Sequence, residues 1–206
     1  MSPPAGRGGR PRLPSPLVEE AGHGRLETTR GGGRIERVTD APFLIRRARV
    51  KDIPAIQSLV APLVEQRILL GKDLAVLYGA VQEFRIAESP DGAVIGCGAL
   101  HVMWDDLAEV RTIAVHTDWR RHHVGSALVG RLEVDAEELG VNKLFCLTFE
   151  VEFFTARGYA EVGEGIVGPD IVAELARSGD EGVAEFLDLA RVKPNTLGNT
   201  RMLKVI

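Results

Sequence analysis

Two cysteines in 206 residues, Cys97 and Cys146, are too few for a disulfide framework. They have no CxxC spacing and no His/Cys neighbours that would make a zinc signature, so both read as small buried hydrophobes. No run approaches the ~18 to 20 apolar residues of a bilayer span, and no hydrophobic signal core follows the first charges, which implies a soluble, cytoplasmic protein. An excess of basic residues is also missing. The net charge is −4 and the isoelectric point about 5.8, which argues against a general nucleic-acid binder and leaves room only for a local basic patch; no membrane partner is expected. None of the histidines (His23, His101, His116, His122 and His123) sits in a metal-ligand neighbourhood, so no metal is expected. Walker A and GxSxG patterns are absent. What remains is globular: 45% hydrophobic and 26% charged residues, in a length that suits one domain with one active site.

Residues 1–40 differ from the rest. They hold 5 of the 11 prolines and 8 of the 23 glycines, and seven arginines against five acids make them +2 while residues 41–206 carry −6. With no period of 2 or 3.6, the segment reads as a disordered extension, with an arginine-bearing tail for an acidic partner as the alternative. Order begins with an extended stretch at 43–48. Asp52 as an N-cap with Pro54 behind it predicts a helix that buries Ile53, Ile56, Leu59 and Val60 and is kinked or ended by Pro62. A second helix from Asp73 is expected to bury Leu74, Leu77, Tyr78 and Val81. Ser89-Pro90-Asp91-Gly92 joins strands 84–88 and 93–102 into a hairpin. Then come a strand at 108–115, a polar loop, a helix at 126–139 stopped by Gly140, a strand at 143–149, a helix at 151–157 closed by Gly158, and a short strand at 159–162. Helices near 170–177 and 182–191 precede a last strand at 200–206. Without strict alternation, the order predicts an α/β (α+β) fold with a mixed, mostly antiparallel central sheet flanked by helices.

The most informative stretch is the basic loop Arg120-Arg121-His122-His123-Val124-Gly125-Ser126, between a strand and the start of a helix. A helix N-terminus carries unsatisfied N–H groups and partial positive charge, so it attracts anionic oxygens such as a pyrophosphate. Gly125 lets phosphate approach the backbone and the arginines add charge; the plainer reading is a solvated basic loop. Gly163-x-Gly165-x-x-Gly168 matches a dinucleotide fingerprint, with Asp188 downstream, but Pro169 follows at once and no βαβ unit brackets it.

Strand, loop and following segment together resemble motif A of the GNAT acyl-CoA N-acyltransferases. Residues Glu109 to Val115 look like that family's central strand, and Arg120-x-x-His123-x-Gly125 resembles its Arg/Gln-x-x-Gly-x-Gly/Ala loop, with His123 in place of the first glycine. Phe153-Phe154-Thr155-Ala156-Arg157-Gly158-Tyr159 resembles motif B. The likeness spans 44–162 and is greatest to the acetyltransferase domain of bacterial N-acetylglutamate synthases in its short, stand-alone actinobacterial form. Ile45 to Ala48, Ile68-Leu69-Leu70 with Lys72, Lys143 to Thr148, and Phe154, where many GNAT enzymes carry an acidic tyrosine, all resemble it. This implies acetyl-CoA as co-substrate, held by Ile113, Ala114, Val115 and the 120–126 loop. It also implies a small amino-acid acceptor, glutamate first, acetylated on its α-amino group at the opening of arginine biosynthesis. Feedback by arginine through a kinase-like domain is not expected in so short a chain.

An α-amino group is mostly protonated at neutral pH and needs a base before it can attack a thioester. By resemblance that base is Glu109, although a strand-end carboxylate paired with Arg111 or Arg131 would look the same. Backbone amides near Ile113 to Val115 would hold the oxyanion. Buried acceptor carboxylates need cations, and the resemblance points to Leu70, Lys72, Arg111 and Arg201 as the acceptor site. Two alternatives stay open: a GNAT enzyme for glutamine, another small amine or a protein amine, and a non-catalytic acyl-CoA sensor. Residues 163–199 read as an insertion, with 185–194 as a lid or a contact in a homodimer.

Overall fold

The computed structural model describes residues 42–163, 165–187 and 198–206. The expected 1–40 extension, Asp188 and most of the 185–194 segment lie outside the described residues.

Seven strands form one sheet in the order β1-β2-β3-β4-β5-β7-β6. They are β1 (Leu44–Arg47), β2 (Phe84–Glu88), β3 (Val94–Trp104), β4 (Leu107–Val115), β5 (Lys143–Thr148), β6 (Ala160–Glu161) and β7 (Thr200–Val205). Every neighbouring pair is antiparallel except β4 and β5, which run parallel with Leu107, Ala108 and Glu109 opposite Lys143, Leu144 and Phe145. The fold is the expected mixed, mostly antiparallel sheet with helices packed on it. The helices are α1 (Ile53–Glu65), α2 (Leu74–Gly79), α3 (Val124–Leu139), α4 (Val151–Thr155), α5 (Pro169–Leu175) and α6 (Glu181–Phe186). None among the described residues is long and apolar enough to cross a membrane.

Both faces of the sheet are covered. Ile53 and Ile56 of α1 and Leu77 of α2 pack on Phe84, Ile86, Cys97, Ala99 and Ala114 on one face. On the other, Val129, Leu132 and Ala136 of α3 pack on Leu100, Ala108 and Val110. Leu128 and Leu132 are fully buried, each gaining roughly 1.5–3 kcal/mol over exposure. Helix α3 lies close because β3 offers Gly96 and Gly98 beneath it. A Cβ at Gly96 would come within 2.9 Å of Val124 Cγ1, and one at Gly98 within 2.5 Å of Ile113 Cδ1 and 3.2 Å of Leu132 Cδ1. A third cluster joins Leu107 and Phe145 to Leu175, Val183 and Phe186 of the α5–α6 segment.

One irregularity in β4 decides what the strands present. Between the pairs Cys97↔Ala114 and Ala99↔Arg111, β4 carries one more residue than β3, and Thr112 there has φ +58°. A bulge of this kind reverses the alternation of faces. Glu109, Arg111 and Ala114 therefore share the face of their partners His101, Ala99 and Cys97, where a regular strand would turn Ala114 the other way.

Three local expectations are corrected. The Asp52 side chain does not cap α1; Oδ2 accepts from the Arg49 N–H (2.7 Å) and Arg46 Nη1 (2.7 Å), which ties the preceding turn to β1. Leu74 and Tyr78 of α2 are 41% and 42% exposed, because this six-residue helix turns only one side, Leu77, into the core. Helix α1 continues through Pro62 to Glu65, since a proline in the last turn removes one bond and leaves the rest of the helix intact.

Candidate active site

The first site element is a groove of about 670 Å³ along the N-terminus of α3. Its floor is Ile113, Ala114 and Val115 of β4; its rim is Arg120, Arg121, His123, Val124, Gly125 and Ser126; and Ile68, Glu150 and Phe153 close the sides. The loop leads into the helix through two residues with left-handed backbone, Arg121 (φ +64°) and His123 (φ +61°). His123 is the residue preceding α3, and no side chain caps the helix there. The first N–H groups of α3, which have no partner within the helix, thus belong to residues lining the groove. A β-carbon on Gly125 would stand at ordinary contact distance, 3.7 Å, from Phe153 and Val115, which line the groove with it. That cradle fits a pyrophosphate laid against backbone, flanked by two arginines. His123 is exposed and lines the rim, and its positive φ explains why a glycine is the easier residue there. His122 is not brought to the groove: its ring lies 5.8 Å from that of Trp119 and its Nδ1 2.9 Å from the Arg120 carbonyl oxygen.

A second, smaller pocket of about 60 Å³ opens where the groove ends, and Ile68 lines both. Leu70, Lys72, Glu109, Arg111 and Thr112 meet here, together with Leu147, Gly182 and Glu185. Strand β4 lines this pocket at Thr112 and the groove at Ile113, so the two spaces are neighbours along it. Four of the residues expected for chemistry and acceptor binding are brought together. Arg201 is not one of them: its Nη2 donates to the Glu185 (3.3 Å) and Phe186 (3.4 Å) carbonyl oxygens, beside a separate cavity of about 310 Å³. The glycines Gly163, Gly165 and Gly168 precede α5 after a two-residue strand, and the first two line that same cavity.

The electrostatics of the pocket centre on Glu109, which is 5% exposed. Among the described residues Oε2 accepts no hydrogen bond, and the nearest cation is Arg111 Nη1 at 3.6 Å. Burial raises the Glu109 pKa above the ordinary carboxylate range, and the nearby charges of Arg111 and Lys72 only partly oppose it. Arg111 is held on both sides, by Asp180 Oδ1 and Oδ2 (3.0 and 3.1 Å from Nη1) and by Glu83 Oε2 (2.9 Å from Nη2). His101 Nδ1 lies 3.0 Å from Glu83 Oε1. Burial acts to raise the pKa of Glu83 and of Asp180, but His101 and Arg111 around the first, and Arg111 and Lys72 around the second, outweigh it, and both carboxyls sit below their usual values. Glu83, His101, Asp180 and Gly182 escape a reading of the sequence. His101 is the only one with a signal, since a hairpin register places it opposite Glu109.

Comparison with known proteins agrees with this geometry. Residues 67–163 match the Acetyltransferase (GNAT) family. Over 173 residues the chain is 51% identical to an amino-acid acetyltransferase of Mycobacterium tuberculosis, an alignment that spans 83% of this chain and 99% of that protein. The chain belongs to the GNAT acetyltransferase family. Other GNAT relatives are longer: the chain is 34% identical to an amino-acid acetyltransferase of Pseudomonas putida but spans only 35% of it. In structure it is similar to Rv2747 from M. tuberculosis in complex with CoA and NLQ (TM-score 0.76, 52% identity, 79% of this chain and 99% of that one). It is also similar to the N-acetylglutamate synthase of Neisseria gonorrhoeae complexed with coenzyme A and N-acetyl-glutamate (TM-score 0.64, 25% identity, 81% of this chain and 36% of that one). The GNAT fold and the acetyltransferase class expected from the two motifs are both met.

Proposed function

We propose that this chain transfers the acetyl group of acetyl-CoA to the α-amino group of a free amino acid, L-glutamate in the first reading. The observation that carries it is the adjacency of the two spaces at Thr112 and Ile113, with a buried carboxylate on one side and an uncapped helix start on the other.

In this reading the amides at the start of α3, with Arg120 and Arg121, hold the pyrophosphate of acetyl-CoA, and β4 receives the thioester at Ile113 to Val115. Lys72 and Arg111 orient the acceptor by its carboxylates. Glu109 accepts a proton from the acceptor's ammonium group, directly or through a water; its raised pKa brings its basicity closer to that of the amine. The freed nitrogen attacks the acetyl carbonyl carbon, and β4 amides take up the negative charge on the oxygen, each such donor worth about 2.7–4 kcal/mol. The nitrogen then gives its second proton to solvent, the carbon–sulfur bond breaks, and the thiolate takes a proton from solvent, leaving the amide and CoA. No side-chain acid is assigned to that step, because Phe154 occupies the motif B position and is buried against Phe153 and Tyr159.

Glutamine is the second reading, favoured by one observation: Arg111 and Lys72 already face Asp180. Acetyl-CoA-dependent thiol release tests both, with glutamate, glutamine, aspartate and a lysine peptide side by side. Saturable release with glutamate or glutamine is the expected result; release with the peptide alone would refute a free amino acid as acceptor.

A further inference from the structure

Helix α6 closes the acceptor pocket with its first turn. Gly182 is pressed so closely there that a β-carbon would lie 2.9 Å from Glu109 Oε2, 3.0 Å from Asp180 Oδ1 and 3.2 Å from Arg111 Nη1. Just before it, the Asp180 carboxylate does two things. Oδ1 accepts from the Val183 N–H at 3.0 Å and caps the helix; the same group binds Arg111 and lies 3.9 Å from both Lys72 Nζ and His101 Nε2. The two permanent cations of the pocket therefore face three carboxylates, Glu83, Glu109 and Asp180. Glu185 lines the same pocket; an acceptor with one carboxylate adds one more negative charge, and a dicarboxylic acceptor adds two. Charges this little exposed are weakly screened, so each uncompensated carboxylate weighs heavily.

We propose that Asp180 is the specificity-determining residue for the acceptor side chain: by occupying Arg111 and facing Lys72 it disfavours a second carboxylate and moves the enzyme's preference from glutamate towards glutamine. The inference rests on the amino-acid acetyltransferase reading above and adds to it the residue that sets acceptor charge. Asp180 acts through Arg111 and Lys72, so its removal must alter discrimination between acceptors and not merely the overall rate.

Asp180→Asn tests this, because asparagine caps a helix as well as aspartate does while removing the charge. Asp180→Ser, also a good cap, is the second variant should the first fold poorly. The measurement is kcat/KM for glutamate and for glutamine in wild type and both variants, with the KM for acetyl-CoA as a check on the groove. A rise of tenfold or more in the glutamate-to-glutamine ratio, carried by a lower KM for glutamate, is the expected result. Loss of the cap alone would slow both acceptors equally; an equal loss, an unchanged ratio or a shift towards glutamine overturns the proposal. If wild type turned over neither amino acid, the acceptor reading itself would fall, an outcome separate from a failure of Asp180.

Discussion

Single residues in this protein are held in states that an isolated peptide would avoid. Glu109 is buried beside Arg111 at 3.6 Å, a distance too long for a hydrogen bond that would satisfy its oxygen. Gly182 of α6 packs closely against it. A carboxylate kept this way is costly for folding and well suited to take a proton. His123 is the second case. Its φ of +61° costs a residue with a β-carbon about 1 kcal/mol or more, and glycine nothing. His123→Gly is therefore expected to be more stable than His123→Ala by about 1 kcal/mol in chemical denaturation. Equal midpoints would mean that the loop does not hold the left-handed turn. Neither residue advertises its state in the sequence. The 120–126 loop could be picked out from its arginines and Gly125 and does line the groove, whereas His122 within it turns to Trp119, an aromatic contact no spacing reveals.

Among the elements, β4 and α6 matter most. Strand β4 carries the bulge at Thr112 that places Glu109 and Arg111 on one face with Ala114, and it lines both pocket and groove. Helix α6 covers the pocket by contact at a glycine, so Gly182→Ala must displace the side-chain ends of Glu109, Asp180 and Arg111 or the helix itself. The expected outcome is a loss of tenfold or more in kcat/KM for the amino acid with acetyl-CoA affinity unchanged, since the groove lies beyond Ile68; steady-state kinetics with a binding titration checks it. Unchanged kinetics would show that α6 does not form the acceptor wall. Most elements were readable beforehand because caps, turns and periodicities are local: Gly92 and Gly140 have the positive φ that their turns require. The bulge and the docking of α6 were not, because each depends on a partner distant in sequence. The exposure of Leu74 and Tyr78 has the same origin, since periodicity marks an apolar residue without saying whether a neighbour covers it.

Across the whole molecule, the site is an assembly of distant segments. Lys72 comes from the loop before α2, Glu83 from the turn before β2, His101 from β3, Glu109 and Arg111 from β4, and Asp180 from the residue before α6. In the proposed reading, a chain of net charge −4 keeps Lys72 and Arg111 for an amino acid's carboxylate and Arg120 and Arg121 for a pyrophosphate. Resemblance to the family located Glu109, Lys72 and Arg111. It did not reveal the acids that surround them, and Arg201 proves to tie β7 to the end of α6. The account stands on Glu109 as the base, and its most direct test is the pH dependence of kcat/KM for the amino acid in wild type and Glu109→Gln. A base works when ionised, and burial raises the pKa of this one. Wild-type activity must therefore rise with pH along a limb lying above the usual glutamate value of about 4.3. Glu109→Gln is expected to lose that limb and about 10²–10⁴-fold in kcat while binding acetyl-CoA as before. A variant that keeps both the rate and the limb would contradict the account.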